Sequence, residues 1–152
     1  MEKRILTKVV ASGLIWNRES VLLLKRARDF KGLSVGRGLW EPPGGVVDMA
    51  ESIPECLRRE VSEETGISIT TLPVLAAVCH YTVEDAEVVA HRFHILYSVR
   101  LAAPANVRLS EEHADYCWVD SAARAAGLEM IPALSEIVHE AFSVSVIGRD
   151  RR

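Results

Sequence analysis

The chain has 152 residues, 49% of them apolar and 26% charged, with 18 lysines and arginines against 21 acidic residues for a formal charge of −3. That is the composition of a folded globule, and a chain of this length buries roughly two thirds of the surface it exposes when unfolded, enough for one domain core and short of two. The balance excludes a polycationic surface that would hold duplex nucleic acid by its phosphates, whereas a small phosphorylated ligand needs only a few local cations.

Residues 4–17 read as a strand that runs into a turn at Asn17-Arg18-Glu19, and Val21 to Arg26 is a short apolar strand, so the two predict a hairpin. The first 17 residues are basic and then apolar, but Lys8 interrupts the apolar run, which argues against a signal peptide. No stretch approaches the roughly 18 apolar residues of a membrane span. Asp29 to Gly38 carries Gly32, Gly36 and Gly38 with Lys31 and Arg37 and reads as a loop. Pro42, Pro43, Gly44 and Gly45 predict a turn, stiff at the prolines and permissive at the glycines.

A helix follows over 52–65, with Ser52 and Glu55 as a capping box and Gly66 as its stop. Residues 67–82 and 91–101 are strand-like, separated by an acidic loop at Glu84, Asp85 and Glu87. Tyr116 to Val119 is a short late strand. Pro132 opens a last helix whose buried side is Leu134, Ile137, Val138 and Ala141. The order β-β-loop-α-β-β-β-α places the chain in the α/β class, with a mixed sheet between helices and one domain over 1–152. Cys56, Cys79 and Cys117 are odd in number, widely spaced and without a CxxC pair. Neither a disulfide framework nor a zinc knuckle is expected, and the usage fits a reducing, cytoplasmic compartment.

The central helix carries a contradiction. On a wheel at about 100° per residue, Ile53, Leu57 and Val61 share an arc of about 80°, and Glu60 and Glu64 fall inside or beside it. Glu63 lies next to them, past Cys56. An amphipathic helix normally turns carboxylates away from its packing face, and the C-terminal end disfavours negative charge. A solvated run of ion pairs among Arg58, Arg59, Glu60, Glu63 and Glu64 is one reading. The other is a divalent cation, because crowded and half-buried carboxylates need compensation, and Mg²⁺ takes oxygen ligands while keeping water and phosphate in its remaining positions. In that reading Arg59 orients a carboxylate, and Glu51, just before the N-cap, folds back toward the site or binds a neighbouring amide. Arg26, Arg28, Lys31 and Arg37 could neutralise phosphates from the far side, though each alone is an ordinary surface residue.

Gly45, five residues, Glu51, seven residues and then Arg59-Glu60-Val61-Ser62-Glu63-Glu64-Thr65-Gly66-Ile67 resembles the complete signature of the Nudix hydrolases over 23 residues. The lead-in Trp40 to Gly45 and the segment Ser110 to Val119 resemble flanking features of small members, so the likeness runs over about residues 4–147. The resemblance implies an α/β/α sandwich with a mixed sheet, a single Nudix hydrolase domain over 1–152, and Mg²⁺- or Mn²⁺-dependent hydrolysis of a nucleoside diphosphate linked to another group. By the same resemblance, Glu60 and Glu64 are the leading metal ligands, Glu63 the next and the Gly45 carbonyl a further one. Arg59 would orient the carboxylates and Glu51 brace loop and helix, while Glu112, or secondarily Glu111, would be the distal carboxylate that activates water. Met49 and Glu41 depart from the glycine and the apolar residue many members carry there, which bears on loop shape and removes no ligand.

Marks of the subclasses are missing. Thr82-Val83-Glu84 stands where ADP-ribose hydrolases have proline, and Tyr81 is close to but not at the tyrosine position of dinucleoside polyphosphate hydrolases. The NADH-hydrolase pattern is absent. Elimination and size favour a nucleoside triphosphate pyrophosphohydrolase. The alternatives are a dinucleoside polyphosphate, nucleotide-sugar or ADP-ribose pyrophosphatase, and, in a different class, a nucleotide-sensing or protein-binding module without turnover. The expected partner is a small nucleotide or nucleoside diphosphate derivative, with no stable nucleic-acid binding and no membrane, on a monomer or homodimer. Phe30, Trp40, Tyr81 and Phe93 are candidates to stack on a base. A metal trio of His80, His91 and His94 is disfavoured, because His91 and His94 point to opposite faces of a regular strand.

Overall fold

The computed structural model describes residues 2–147, with side chains described to residue 143; residue 1 and residues 148–152 of the expected domain lie outside that range. The elements are β1 (Arg4–Asn17), β2 (Ser20–Arg26), β3 (Trp40–Glu41), β4 (Gly44–Val46), α1 (Ile53–Thr65), β5 (Val74–Glu84), β6 (Val88–Arg100), β7 (His113–Val119), α2 (Ala122–Ala126) and α3 (Pro132–Ile147). The sheet runs β3-β2-β1-β6-β5, with β4 added to β1 and β7 to β2. It is mixed: β1 and β6 pair in parallel from Arg4↔Val88 to Trp16↔Arg100, while the other pairings are antiparallel.

Alternation along β1 divides the core in two. Ala11 and Ile15 face α1 and join Leu22, Leu24, Leu57, Val61 and Val99. Leu14 and Trp16 face α2 and α3 and join Leu23, Leu96, Val119, Leu134 and Val138. These are the three layers of an α/β/α sandwich. Among the described residues, no helix is long and apolar enough to cross a membrane.

The β1–β2 hairpin is short. Only Trp16↔Val21 and Asn17↔Ser20 pair before the strands part, and Arg18 takes a positive φ of 54° in the turn. Below the fork, β4 lies against β1 through Val10↔Val46, Ala11↔Gly45 and Ser12↔Gly44, while β2 runs on along β7. The expected turn at Pro42–Gly45 is therefore corrected: its glycines form a strand, too short to show periodicity in the sequence. The strand expected over 67–82 begins only at Val74. Ile67 and Ile69 are buried instead in the α1 core, and their alternation comes from that burial rather than from a ladder. The five residues of α2, capped by Ser121, are too few for a periodic signal.

The cap residues of α1 behave as the sequence dictates. Ser52 Oγ accepts from the Glu55 N–H at 3.3 Å and Glu55 Oε2 accepts from the Ser52 N–H at 2.7 Å. Gly66 ends the helix at φ 73°, a left-handed cap that a side chain would strain. Leu57 and Val61 are fully buried, worth about 1.5–3 kcal/mol each, and they set the depth of the helix on the sheet.

Gly44 meets β1 so closely that a Cβ there would collide with the Ala11 carbonyl and the Ser12 backbone, neither of which can swing aside. Gly44→Ala is expected to cost about 1–3 kcal/mol and to lower the melting temperature by roughly 2–10 °C in a thermal melt. An unchanged melting temperature would show that β4 is not held this tightly on β1.

Candidate active site

A cleft of about 530 Å³ opens where β4, β1, β6 and the end of α1 meet the loops 27–39 and 110–112. Glu41, Glu60, Glu63, Glu64, Glu111 and Glu112 line it, as do Arg26, Arg28, Lys31 and Arg92, with Val10, Ser12, Phe30 and His94 among the remaining walls.

Arg59 organises the helical side. Its Nε and Nη2 donate to the two oxygens of Glu51 at 2.9 and 2.6 Å, and its Nη1 donates to Glu60 at 2.8 Å and to Glu63 at 3.3 Å. Glu51 also accepts from the Asp48 N–H at 3.0 Å, tying the loop before α1 to the helix. These bonds, Arg59 first, hold the Glu51 carboxyl down at about 2. Glu63 is the most open of the three, its side chain 58% exposed against 15% for Glu60.

Glu64 is only 4% exposed. Its Oε2 accepts from the Gly44 N–H at 3.0 Å, and among the described residues no cation pairs with it. Burial pushes its carboxyl well above the ordinary 4.5; the neighbouring charges of Glu41, Glu60 and Glu112 add to that, and the Gly44 bond offsets part of it. Glu60 is raised for the same first reason, with Arg59 opposing. The Glu60 carboxylate lies where a Cβ on Gly45 would be. The Gly45 carbonyl accepts from the Cys56 thiol at 3.5 Å, and burial raises that thiol to about 12, so it stays protonated.

The expected site residues Gly45, Glu60, Glu63, Glu64 and Glu112 all border the cleft, and Arg59 on α1, with Glu51 in the loop before it, braces them. Glu111 pairs instead with Arg28 at 3.3 Å on the exposed rim. Among the described residues, no three histidine, cysteine or carboxylate side chains already form a metal cage. Of the cations expected to face phosphates, Arg26, Arg28 and Lys31 border the cleft, and Arg37 is exposed in the loop. Of the aromatic candidates, Phe30 borders it. Trp40 packs into the α3 core, Tyr81 bonds His94 at 3.0 Å, and Phe93 stacks on His80. The histidines divide as the strand alternation requires: His80 and His91 stack on one face, while His94 is buried on the other beside Ser12 at 3.4 Å.

Two cleft residues, Glu41 and Arg92, and a buried partner of the first, His113, escape a reading of the sequence. Glu41 accepts from Arg26 at 2.8 Å and from His113 Nε2 at 3.2 Å; burial would raise it, but these two partners bring it below 4.5. His113 arrives from β7. Arg92, on β6, sits with its guanidinium 4.7 Å from the Phe30 ring centre. The available signal was the period-2 pattern of β6, which puts Arg92 on the same face as His94.

Gly45→Ala is expected to separate site from fold. The added methyl meets only the far end of the Glu60 side chain, which can rotate away, so the melting temperature should stay within about 2–4 °C of wild type, the equivalent of about 1 kcal/mol. With the cleft as the active site, turnover should fall at least about tenfold as Glu60 is displaced. A large loss of stability with normal turnover would mean that Gly45 serves the fold alone.

The NUDIX domain family matches residues 6–136. The nucleoside triphosphatase NudI of Escherichia coli O139:H28 (strain E24377A / ETEC) is 31% identical over 121 residues, 74% of this chain and 81% of NudI. The MutT protein from Methanosarcina mazei Go1 superposes with a TM-score of 0.72 at 32% identity, covering 95% of this chain and 97% of that one. The E. coli dihydroneopterin triphosphate pyrophosphohydrolase, 21% identical, shares the fold with a TM-score of 0.70 over 89% of this chain and 96% of its own. A family match over most of the chain, together with a relative at this identity and coverage, shows that the chain belongs to the Nudix hydrolase family.

Proposed function

We propose that this chain hydrolyses nucleoside triphosphates at a phosphoanhydride bond with Mg²⁺, or Mn²⁺ in its place. The observation that carries the reading is Glu64, a carboxylate held at 4% exposure with no cation partner among the described residues, one helical turn from Glu60 over a glycine backbone. The donor set is all oxygen, the chemistry of a hard divalent cation. Glu60, Glu64 and the Gly45 carbonyl would hold the cation, with Glu63 at the rim. When bound, it neutralises charge on the phosphoryl oxygens. The similarity to NudI, a nucleoside triphosphatase, supports the substrate class.

The chain's own residues do the rest. Arg59 fixes Glu60 and Glu63 in orientation, and Glu51 fixes Arg59. Glu112 is exposed at the cleft, and its charge is felt by both Glu60 and Glu64. On this reading it takes a proton from the attacking water. The water oxygen bonds to one phosphorus, the anhydride P–O bond breaks, and the leaving phosphate departs with the electron pair.

Glu64→Gln tests the reading. It keeps an acceptor for the Gly44 N–H and removes the charge. Metal affinity measured by calorimetry and turnover on a nucleotide panel should both fall, turnover by at least about 10²-fold. Glu112→Gln should instead leave metal binding intact and lower turnover by about 10²–10⁴-fold. Near-normal rates for Glu64→Gln at limiting Mg²⁺ would leave α1 with surface ion pairs and no metal role.

The raised carboxyl of Glu64 also fixes the sign of a pH effect. A carboxyl whose folded value lies above its unfolded value favours the fold while protonated, and that contribution is lost as pH rises through the folded value. In EDTA, the melting temperature of Glu64→Gln relative to wild type should therefore climb as pH rises from about 4.5 toward neutrality. A difference that stays flat across that range would contradict the burial of an unpaired charge. Glu51, held low, acts in the opposite sense and only in acid.

A further inference from the structure

Four basic side chains border the cleft, and they are not equivalent. Arg26 is engaged by Glu41 at 2.8 Å and by the carbonyls of Arg28 and Asp29 at 3.2 and 3.3 Å, and its guanidinium also lies over the Phe30 ring, 4.2 Å from the centre. Arg28 pairs with Glu111. Lys31 is on the exposed loop. Arg92 rises from β6 inside the sheet, half-buried, its guanidinium against the Phe30 ring. Its Nε is buried without a hydrogen-bond partner, and none of the ion pairs among the described residues includes it.

The groups beside Arg92 do not neutralise it. Burial raises the Tyr81 hydroxyl to about 12, against the pull of the Arg92 guanidinium that hydrogen-bonds it. Burial, with Arg92 assisting, lowers His94 to about 4. Both are uncharged at neutral pH. A half-buried guanidinium without an anionic partner is costly for the free protein, and an acceptor from a ligand would offset that cost.

The register says which part of a ligand it meets. Gly45 pairs with Ala11, and Ala11 with Ile95; Arg92 lies three residues before Ile95 on β6. Two strand spacings of roughly 4.8 Å and three residue rises of roughly 3.3 Å separate the two backbone positions by about 14 Å. Arg92 therefore faces the portion of a nucleotide remote from phosphates held at Gly45 and Glu60. The wall there is Val10, the Phe30 ring and neutral His94, which suits a flat heterocycle better than a polyanion.

We infer that Arg92 is a specificity-determining residue that reads the nucleobase, its planar fork donating to two adjacent acceptors, the O6/N7 edge of guanine or the O2/N3 edge of cytosine. Adenine sets an amino donor beside its acceptor and opposes a donor to the fork. The inference rests on the nucleotide reading of the cleft, so its test is equilibrium binding without metal or turnover.

Calorimetry of the wild-type chain in EDTA with GDP, CDP and ADP should show GDP or CDP bound about tenfold more tightly than ADP. Arg92→Gln, which offers one donor and one acceptor, should erase that preference or turn it toward ADP. Arg92→Lys keeps the charge without the fork and should also lose it. Thermal melts of both variants establish that they fold. Equal loss for all three nucleotides in Arg92→Gln, with recovery in Arg92→Lys, would make Arg92 a phosphate contact and overturn the inference. Wild-type binding without base preference would overturn it alone; no binding of any of the three would overturn it together with the nucleotide reading.

Discussion

The constraint behind the site is the contact between the packing face of α1 and a stretch of backbone without side chains. Leu57 and Val61 fix the rotation of the helix, because turning it would return two fully buried side chains to water at about 1.5–3 kcal/mol each. With that rotation fixed, helical periodicity puts Glu60 and Glu64 one turn apart on the same side. They can lie there only because Gly44 and Gly45 offer no Cβ: Gly44 presents its N–H to Glu64, and Gly45 leaves room for the Glu60 carboxylate. Apolar packing thus drives the carboxylates into place against their own preference for water. Arg59, bonded to three carboxylates, limits the repulsion on the helix but does not reach Glu64.

What the sequence made legible is what depends on neighbours in the chain. The capping box at Ser52 and Glu55, the left-handed stop at Gly66 and the carboxylates inside the apolar arc all follow from spacings of seven residues or fewer. The mixed sheet was legible as a class from the order of its elements. The route of β4 was not, because its partner is the middle of β1 and the gap it fills exists only once β1 and β2 part. Glu41 shows the same limit. In the sequence it is a charged residue at an apolar position, and its partners Arg26 and His113 come from β2 and β7. Arg92 is assigned to the cleft by a parallel pairing of β6 with β1 that spans more than 80 residues of sequence. The alternation of β6 states its face but not what lies opposite.

The charge of the cleft bears on the proposed metal more strongly than any single residue. Six carboxylates and four cations border it among the described residues. Two of those pairs cancel, Arg26 with Glu41 and Arg28 with Glu111. What faces the helical wall is Glu60, Glu63, Glu64 and Glu112, with Arg59 as their braced counter-charge. A triphosphate approaching that wall adds negative charge to a region that already holds an excess. On the proposed reading a divalent cation therefore strengthens the hold on the phosphates at that wall, before any question of rate enhancement. The raised carboxyl of Glu64 reflects burial first and then the same imbalance, through the charges of Glu41, Glu60 and Glu112. On the proposed reading, proton and cation compete for one carboxylate. Metal affinity should rise with pH through the same range in which the metal-free fold loses the stabilisation that the Glu64 proton supplied, so at this one carboxyl the pH that favours the free fold lies below the pH that favours a filled site.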